Sequence, residues 1–395
     1  MMTALSRNSD LGFCVIWPDG HLYCCASAMQ TGLHCSRLLR IFAEKFRKMY
    51  KLIRPLLFSM NAEAAHNLTF SLLGALRHIP FSGAVTRAMF RTDGPGLERE
   101  VFGLKFKNPV GLAGGLDKNG EHYNELSDYG FSFIEIGSLT PKPQDGNPKP
   151  RIFRLVRDRA IINRMGINNK GVGHAVQNLR KRKPRTLIAA NISKNATTGN
   201  ENAGDDFEAA FNALYDHVDM FVLNVSCPNV TGLTNLQDVS FLSMITDRLL
   251  AARKHKTPYR PILLKLSPDV PAAQIDSILD YALAAGIDGI VAGNTTRSRD
   301  GLTASPEEIE KIGNGGLSGA PLHKRNLALV RHVSEYTGGR LPIIGVGGIM
   351  SPAQAEDMLR AGASLIEIYT GFIYEGPGLV KRINKALARK KDFRA

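Results

Sequence analysis

The sharpest chemical segment is Asn224-Val225-Ser226-Cys227-Pro228-Asn229, which closes an apolar run. Amide and hydroxyl side chains surround a single thiol there. A lone cysteine is commonly a small buried hydrophobe, while polar neighbours also fit a proton-transfer residue. Both readings stand on these residues alone. Lys118 and Lys265 also lie at or just beyond the ends of apolar runs. A lysine in that place offers charge to a carboxylate, a phosphate or an electron-rich ring. The stretch GVGGIMSP (345–352) follows another run and leads into a helix, with Ser351 as N-cap and Pro352 in the first turn. Its glycines let backbone N–H groups approach an anion, or they simply make turns. The dinucleotide fingerprint GxGxxG fails because position 350 is Met. No HExxH or paired His-Asp constellation is present, so a metal hydrolase is disfavoured and no metal is expected.

These residues need strands to hold them. Eight short runs read as strands: 110–113, 133–136, 187–192, 220–225, 262–267, 289–294, 342–348 and 365–370. Most are continuously apolar, as parallel strands buried on both faces are. Amphipathic stretches lie between them. In 271–286, Ile275, Ile278, Leu279, Ala282 and Leu283 share one helical face, and Gly286 supplies the stop. Every run ends in, or is followed at once by, Gly, Asn, Ser or Thr. Together these ends predict a polar pocket at one end of an α/β fold, a (β/α)8 TIM barrel with an N-terminal helical extension. Strand counting alone also allows a doubly wound open sheet.

Three segments are expected from the 395 residues: 1–48 as a leader of doubtful order or a start placed too early, 49–96 as a helical unit, and 97–395 as the barrel. No run of about 18 apolar residues occurs, which disfavours a spanning helix. The net charge of +14 gathers at the ends, since 97–380 holds 32 Lys and Arg against 30 Asp and Glu. That distribution gives no reason to expect nucleic acid as a partner. Cys14, Cys24, Cys25 and Cys35 lie in the leader without CxxC spacing, so zinc is not expected, and Cys227 alone cannot form a disulfide within the body, so a reducing compartment fits. Two helices are predicted, one from Leu38 that meets Pro55, and one capped by Asn61 that ends before Pro80. Their apolar faces are flanked by Lys and Arg. That pattern suits a helix lying on an anionic membrane surface, or two helices packed on the body.

In order along the chain, FKNPVGLAGGLDKNGE (106–121), IEIGSLTPKPQDGNPKPRIFRL (134–155), INRMGINNKG (162–171), NVSCPNVTGL (224–233), KLSPD (265–269), GNTT (293–296), GGLSGAPL (315–322), LPIIGVGGI (341–349) and IEIYTGFIYEGP (366–377) together resemble dihydroorotate dehydrogenase. The likeness runs from about Met49 to the end, and residues 49–96 resemble the extension of the quinone-reducing, membrane-associated class 2 branch. It implies an FMN enzyme of pyrimidine synthesis that oxidises dihydroorotate to orotate. By matching motif, Gly114, Gly115, Leu116, Asp117, Ser138, Asn191, Asn224, Lys265, Gly293, Gly319, Gly348, Tyr369 and Thr370 hold FMN. Lys118, Asn163, Arg164, Met165, Gly166, Ile167, Asn224, Asn229, Asn294 and Thr295 hold dihydroorotate. His66 and Arg154 line the quinone path, and Cys227 is the base. The chain departs from its branch here, because class 2 enzymes carry serine at this place and class 1 enzymes cysteine. A thiol, near pKa ~8.5 unperturbed, needs less activation than a hydroxyl. The resemblance implies a peripheral protein at the cytoplasmic face of a bacterial inner membrane, or at a mitochondrial inner membrane. Competing readings are a class 1-like enzyme using fumarate or NAD, and another FMN barrel such as a dihydropyrimidine or dihydrouridine reductase.

Overall fold

The computed structural model describes residues 14–16, 22–24, 50–92, 94, 96–225 and 238–393. Eight strands form a closed, all-parallel barrel in chain order. They are β1 Val110–Leu112, β2 Phe133–Leu139, β3 Leu187–Ile192, β4 Met220–Leu223, β5 Ile262–Leu266, β6 Gly289–Ala292, β7 Ile343–Val346 and β8 Leu365–Ile368. The closed ring excludes the open sheet. Several predicted runs overshoot their strands by one or two residues. Gly293 (φ 124°) and Gly347 (φ 118°) show why. Their left-handed backbone cannot continue a ladder, so the polar tails leave the wall and enter the mouth.

Successive side chains point alternately out and in. Outward residues such as Ile134, Ile188, Leu264, Ile290 and Ile366 pack beneath the surrounding helices. Inward residues Phe133, Ala189, Met220, Val222, Leu263, Val291, Ile344 and Leu365 fill the lower barrel. A hairpin, Arg99–Val101 paired with Leu104–Phe106, contributes to this inner cluster. Its turn residues Phe102 (φ 57°) and Gly103 (φ 75°) are both left-handed, the twist a two-residue hairpin requires. Phe in the first turn position hid it from a reading that looks for Asn-Gly.

The extension contains three helices rather than two: α1 over 50–59, α2 Ala62–Leu76 and α3 Ser82–Phe90. Residues 38–49 lie outside the described residues, and α1 continues through Pro55. Asn61 caps α2 as expected, accepting from the Glu63 and Ala64 amides at 3.0 and 3.3 Å. Near the start of the given sequence, Cys14–Ile16 pairs antiparallel with Leu22–Cys24. A further three-stranded sheet, Ile152–Leu155, Ala160–Asn163 and Gly316–Gly319, lies outside the barrel ring. Its third strand lies some 150 residues further along the chain, which hid the sheet from a local reading. The helix after β5, Ala272–Ala285, buries Ile275, Ile278, Leu279 and Ala282 and stops at Gly286 (φ 76°). Ser351 caps the helix Pro352–Arg360 through the Gln354 amide at 3.3 Å.

Candidate active site

A cavity of about 1510 Å3 opens at the C-terminal ends of the barrel strands and runs out beneath α1 and α2. Its floor is ionic. Glu135 on β2, Asn191 on β3, Lys265 on β5 and Glu367 on β8 all point inward and are buried. Glu135 Oε1 accepts from Lys265 Nζ at 2.7 Å and from Asn191 Nδ2 at 2.5 Å. The Glu135 and Glu367 carboxyl groups lie close enough to affect each other directly. Burial alone would raise the Glu135 pKa, but Lys265 and its hydrogen bonds hold it below the usual range. Burial and the charge of Glu135 push Glu367 well above it, and Lys265 offsets only part. The floor therefore favours the charged form of Glu135 beside Lys265 and disfavours that of Glu367.

The floor leaves little room above it. A Cβ on Gly114 would lie 2.3 Å from Glu135 Oε1, so only glycine lets the backbone rest on that carboxylate. Leu116 and Asp117 follow on the wall. The Asp117 carboxylate is spent on the backbone, accepting from the Glu121 and His122 amides at 2.8 Å each. Lys118 Nζ donates to the Gly115 carbonyl, and Tyr369 OH reaches the same oxygen at 3.4 Å. Burial raises the Tyr369 phenol to about 12, so it stays a neutral donor. Asn224 Nδ2 donates to Ser138 Oγ at 2.8 Å. Thr295 N–H donates to Asn294 Oδ1 at 2.8 Å. Thr370 Oγ1 meets Ser318 Oγ at 2.9 Å. Gly319 (φ 108°) and Gly348 (φ 71°) complete one side, and a Cβ on Gly348 would lie 2.3 Å from the His323 amide.

Across the mouth, Asn163, Met165, Gly166 and Ile167 line the cavity. Ile167 is left-handed (φ 56°), a strained place for a β-branched residue. Gln144 Nε2 secures this turn, donating to the Gly166 and Ile167 carbonyls at 3.2 and 3.0 Å. Arg164 is not brought in. Its guanidinium lies 4.5 Å over Phe153 and donates to the Ile312 and Asn314 carbonyls. Cys227 and Asn229 lie outside the described residues.

The outer end of the cavity is lined by the extension. His66 stacks on Phe70 at 4.3 Å, and Phe70 meets His122 edge-on at 4.9 Å. Burial lowers the His66 pKa to about 4, helped by the Lys118 charge, so it is neutral at neutral pH. Arg154 lines the same passage and ties down α1, donating to the Phe58 and Met60 carbonyls at 3.3 and 2.8 Å.

Several of these residues were missed in the sequence. Glu135 and Glu367 were missed in FIEI and LIEI, although Lys265, already singled out, sits in the same kind of run, LLKL. A charge flanked by apolar residues in three separate strands was the available signal. Phe70 and His122 carry no such signal, because a passage wall has no periodicity of its own.

The fit of a flavin mononucleotide can be tested on these residues. Asn191 Oδ1 is buried with no donor among the described residues, beside an ammonium and below a glycine-lined wall. This donor and acceptor set matches the polar edge of a planar heterocycle. The Gly347–Gly348 turn can accept a phosphate. The residues fit the group.

The sequence profile of the dihydroorotate dehydrogenase family matches residues 96–390. A protein named dihydroorotate dehydrogenase (quinone) from Christiangramia forsetii is 48% identical over 343 residues, covering 87% of this chain and 99% of the relative. One of the same name from Coxiella burnetii is 44% identical, covering 88% and 99%. The crystal structure of the Eimeria tenella DHODH in complex with ferulenol superposes with a TM-score of 0.75 at 33% identity, covering 84% of this chain and 93% of that one. The chain belongs to the dihydroorotate dehydrogenase family.

Proposed function

We propose that this protein oxidises (S)-dihydroorotate to orotate in pyrimidine biosynthesis, with FMN as its cofactor and a quinone as final acceptor. Relatives across 84–88% of the chain carry that name, with quinone as acceptor. The observation that carries the reading is the continuity of one large cavity. It joins a polar mouth, suited to a small heterocyclic acid, to an apolar passage under the extension, suited to a quinone.

When bound, FMN would supply two-electron redox chemistry between dihydroorotate and a quinone. Lys265 and Asn191 would hold the ring edge. Gly347 and Gly348, with Gly319 and Thr370 beside them, would hold the phosphate. The Asn163, Asn224 and Asn294 amides offer donors and acceptors to the imide edges of dihydroorotate, and Lys118 offers charge to its carboxylate. Cys227 takes the C5 proton, an assignment that rests on sequence. Arg164 is left out of the set because its guanidinium is engaged elsewhere. His66, Phe70, His122 and Arg154 flank the quinone.

We also read residues 49–96 as a membrane-access unit and 97–395 as the catalytic barrel. Leu52 and Leu56 of α1 and Phe81 before α3 are 78%, 69% and 71% exposed, and Leu72 and Leu76 of α2, with Ile79 just beyond it, are exposed too. Lys51, Arg77 and His78 are exposed beside them. That composition fits peripheral binding to an anionic surface, at the cytoplasmic face of a bacterial inner membrane. Among the described residues no helix is long and apolar enough to cross a membrane.

The test is a steady-state assay of the full chain with dihydroorotate and a ubiquinone analogue, fumarate or NAD. Quinone-dependent turnover is expected. Turnover with fumarate or NAD and none with quinone would overturn the acceptor. Cys227→Ala should abolish reduction of the bound flavin by dihydroorotate, while Cys227→Ser retains part of it. An unchanged rate in the alanine variant would remove Cys227 from the reaction.

A further inference from the structure

The cavity floor holds two ionisable groups, Glu135 and Glu367, that the binding scheme does not use. Glu135, Lys265 and Glu367 are closed off from solvent within the barrel. Were both carboxylates ionised, the interior would hold an uncompensated negative charge, which is too costly to bury. Two carboxylates sharing one site settle this by keeping one proton between them. The geometry says where that proton sits. Glu135 Oε1 already accepts from Lys265 and Asn191. Glu135 Oε2 is buried with no hydrogen-bond donor among the described residues, and so are the two Glu367 oxygens. The one arrangement that satisfies Glu135 has Glu367 as an acid donating to Oε2. Glu135 is then held by donors on both oxygens and cannot rotate. Its Oε1 in turn fixes the direction of the Asn191 amide, which leaves Asn191 Oδ1 as the acceptor without a donor.

We infer that Glu367 is a neutral, proton-holding positioning residue which, through Glu135, orients Asn191 and Lys265 toward the flavin ring. It would touch neither substrate nor cofactor. The groups facing it are Glu135 from β2 and Lys265 from β5, with the uncharged Asn191 of β3 bound to the same Glu135 oxygen as Lys265. Tyr369, just beyond the end of β8, is neutral below about 12. Loss of the proton would set two anions against one cation, detach Glu135 Oε2 and loosen the ring-binding pair. This inference rests on the FMN reading for its consequence, while the protonation itself does not.

The experiment has two readouts on the full-length protein. The first is infrared difference spectroscopy of wild type against Glu367→Gln with the flavin removed. Wild type should show the carbonyl stretch of a buried protonated carboxylic acid, absent from the variant. Absence of that band in wild type would overturn the inference whatever the protein binds. The second is FMN affinity by flavin fluorescence for wild type, Glu367→Gln and Glu367→Leu. The Gln amide still donates to Glu135 Oε2, so its affinity should stay within about threefold of wild type. Leu leaves that oxygen without a donor and should weaken FMN by about tenfold or more, the loss expected for one unmet buried hydrogen bond. Wild-type affinity should also fall at alkaline pH, where Glu367 ionises, while the Gln variant stays flat. Unchanged affinity in Leu, or equal losses in Gln and Leu, would overturn the positioning role. If wild type binds no FMN yet shows the acid band, the FMN reading fails and the protonation stands.

Discussion

Breaking the Glu63–Arg151 pair should separate the two halves of the reaction. Glu63 lies in the first turn of α2, and Arg151 Nη2 and Nε donate to its carboxylate at 2.8 and 3.3 Å. Both side chains are largely buried, at 15% and 7% exposure. Lys149 stands 3.4 Å away but is mostly solvated and adds little. The perturbation is Glu63→Gln, which keeps the shape and removes the charge. Breaking a buried pair costs about 3–5 kcal/mol. Here Arg151 keeps the Asp145 and Asn147 carbonyls at 2.7 and 2.9 Å, and the glutamine oxygen still accepts. A loss of about 2 kcal/mol remains, a factor of about 30 in the docking of α2. The barrel floor lies on other elements. Reduction of bound flavin by dihydroorotate, followed anaerobically in a stopped-flow instrument, should change less than about twofold. Turnover with a long-chain ubiquinone should fall between about fivefold and thirtyfold. An equal loss in both halves, or an unchanged quinone reaction, would refute the claim that this pair holds the acceptor passage in place. The pair also sets a pH limit. Arg151 holds the Glu63 carboxyl below its usual range despite partial burial. Its contribution is present above the unfolded-state value near 4.5 and is lost as pH falls through the lower folded value.

Three other outcomes follow from single contacts. Gly114→Ala places a Cβ 2.3 Å from Glu135 Oε1 and 3.3 Å from Asn191 Nδ2. The purified variant should fold, at a cost of about 1–3 kcal/mol for overpacking, and retain less than about a tenth of the wild-type flavin by absorbance. His66 is buried neutral, with its pKa lowered from 6.5 to about 4. The unfolded chain therefore takes up a proton first, and stability should fall as pH drops from about 6.5 toward 4, by at most about 3 kcal/mol. Thermal melts of wild type and His66→Phe across that range should diverge toward acid. Asn326 Nδ2 donates to the Val346 carbonyl at 2.6 Å and fills the space beside Gly293 and Gly347. Asn326→Ala should cost about 1–3 kcal/mol in denaturant unfolding and raise both the flavin Kd and the dihydroorotate KM, since it braces the ends of β6 and β7 together.

The barrel was legible because its signal is local. A strand buried on both faces must be apolar at nearly every position, and β2 to β8 each announce themselves within a few residues. The polar tails were legible too, since glycine and asparagine mark where a chain leaves a ladder. Caps at Asn61 and Ser351 are likewise decided by two or three neighbouring residues. What the sequence could not settle is which inward side chains meet. Glu135, Asn191, Lys265 and Glu367 are scattered over 233 positions, and each looks like an isolated polar residue in an apolar strand. Ring closure brings their shared inward parity to one level, and confinement there turns three separate ionisable groups into one with a single net proton to place. Arg164 shows the converse. Its motif placed it in the site, and the carbonyls of Ile312 and Asn314, fixed only by tertiary packing, drew it out. Local sequence determines where the chain runs straight and where it turns. Charge state and hydrogen-bond partners depend on what the closed ring excludes from water, and only the assembled structure decides that.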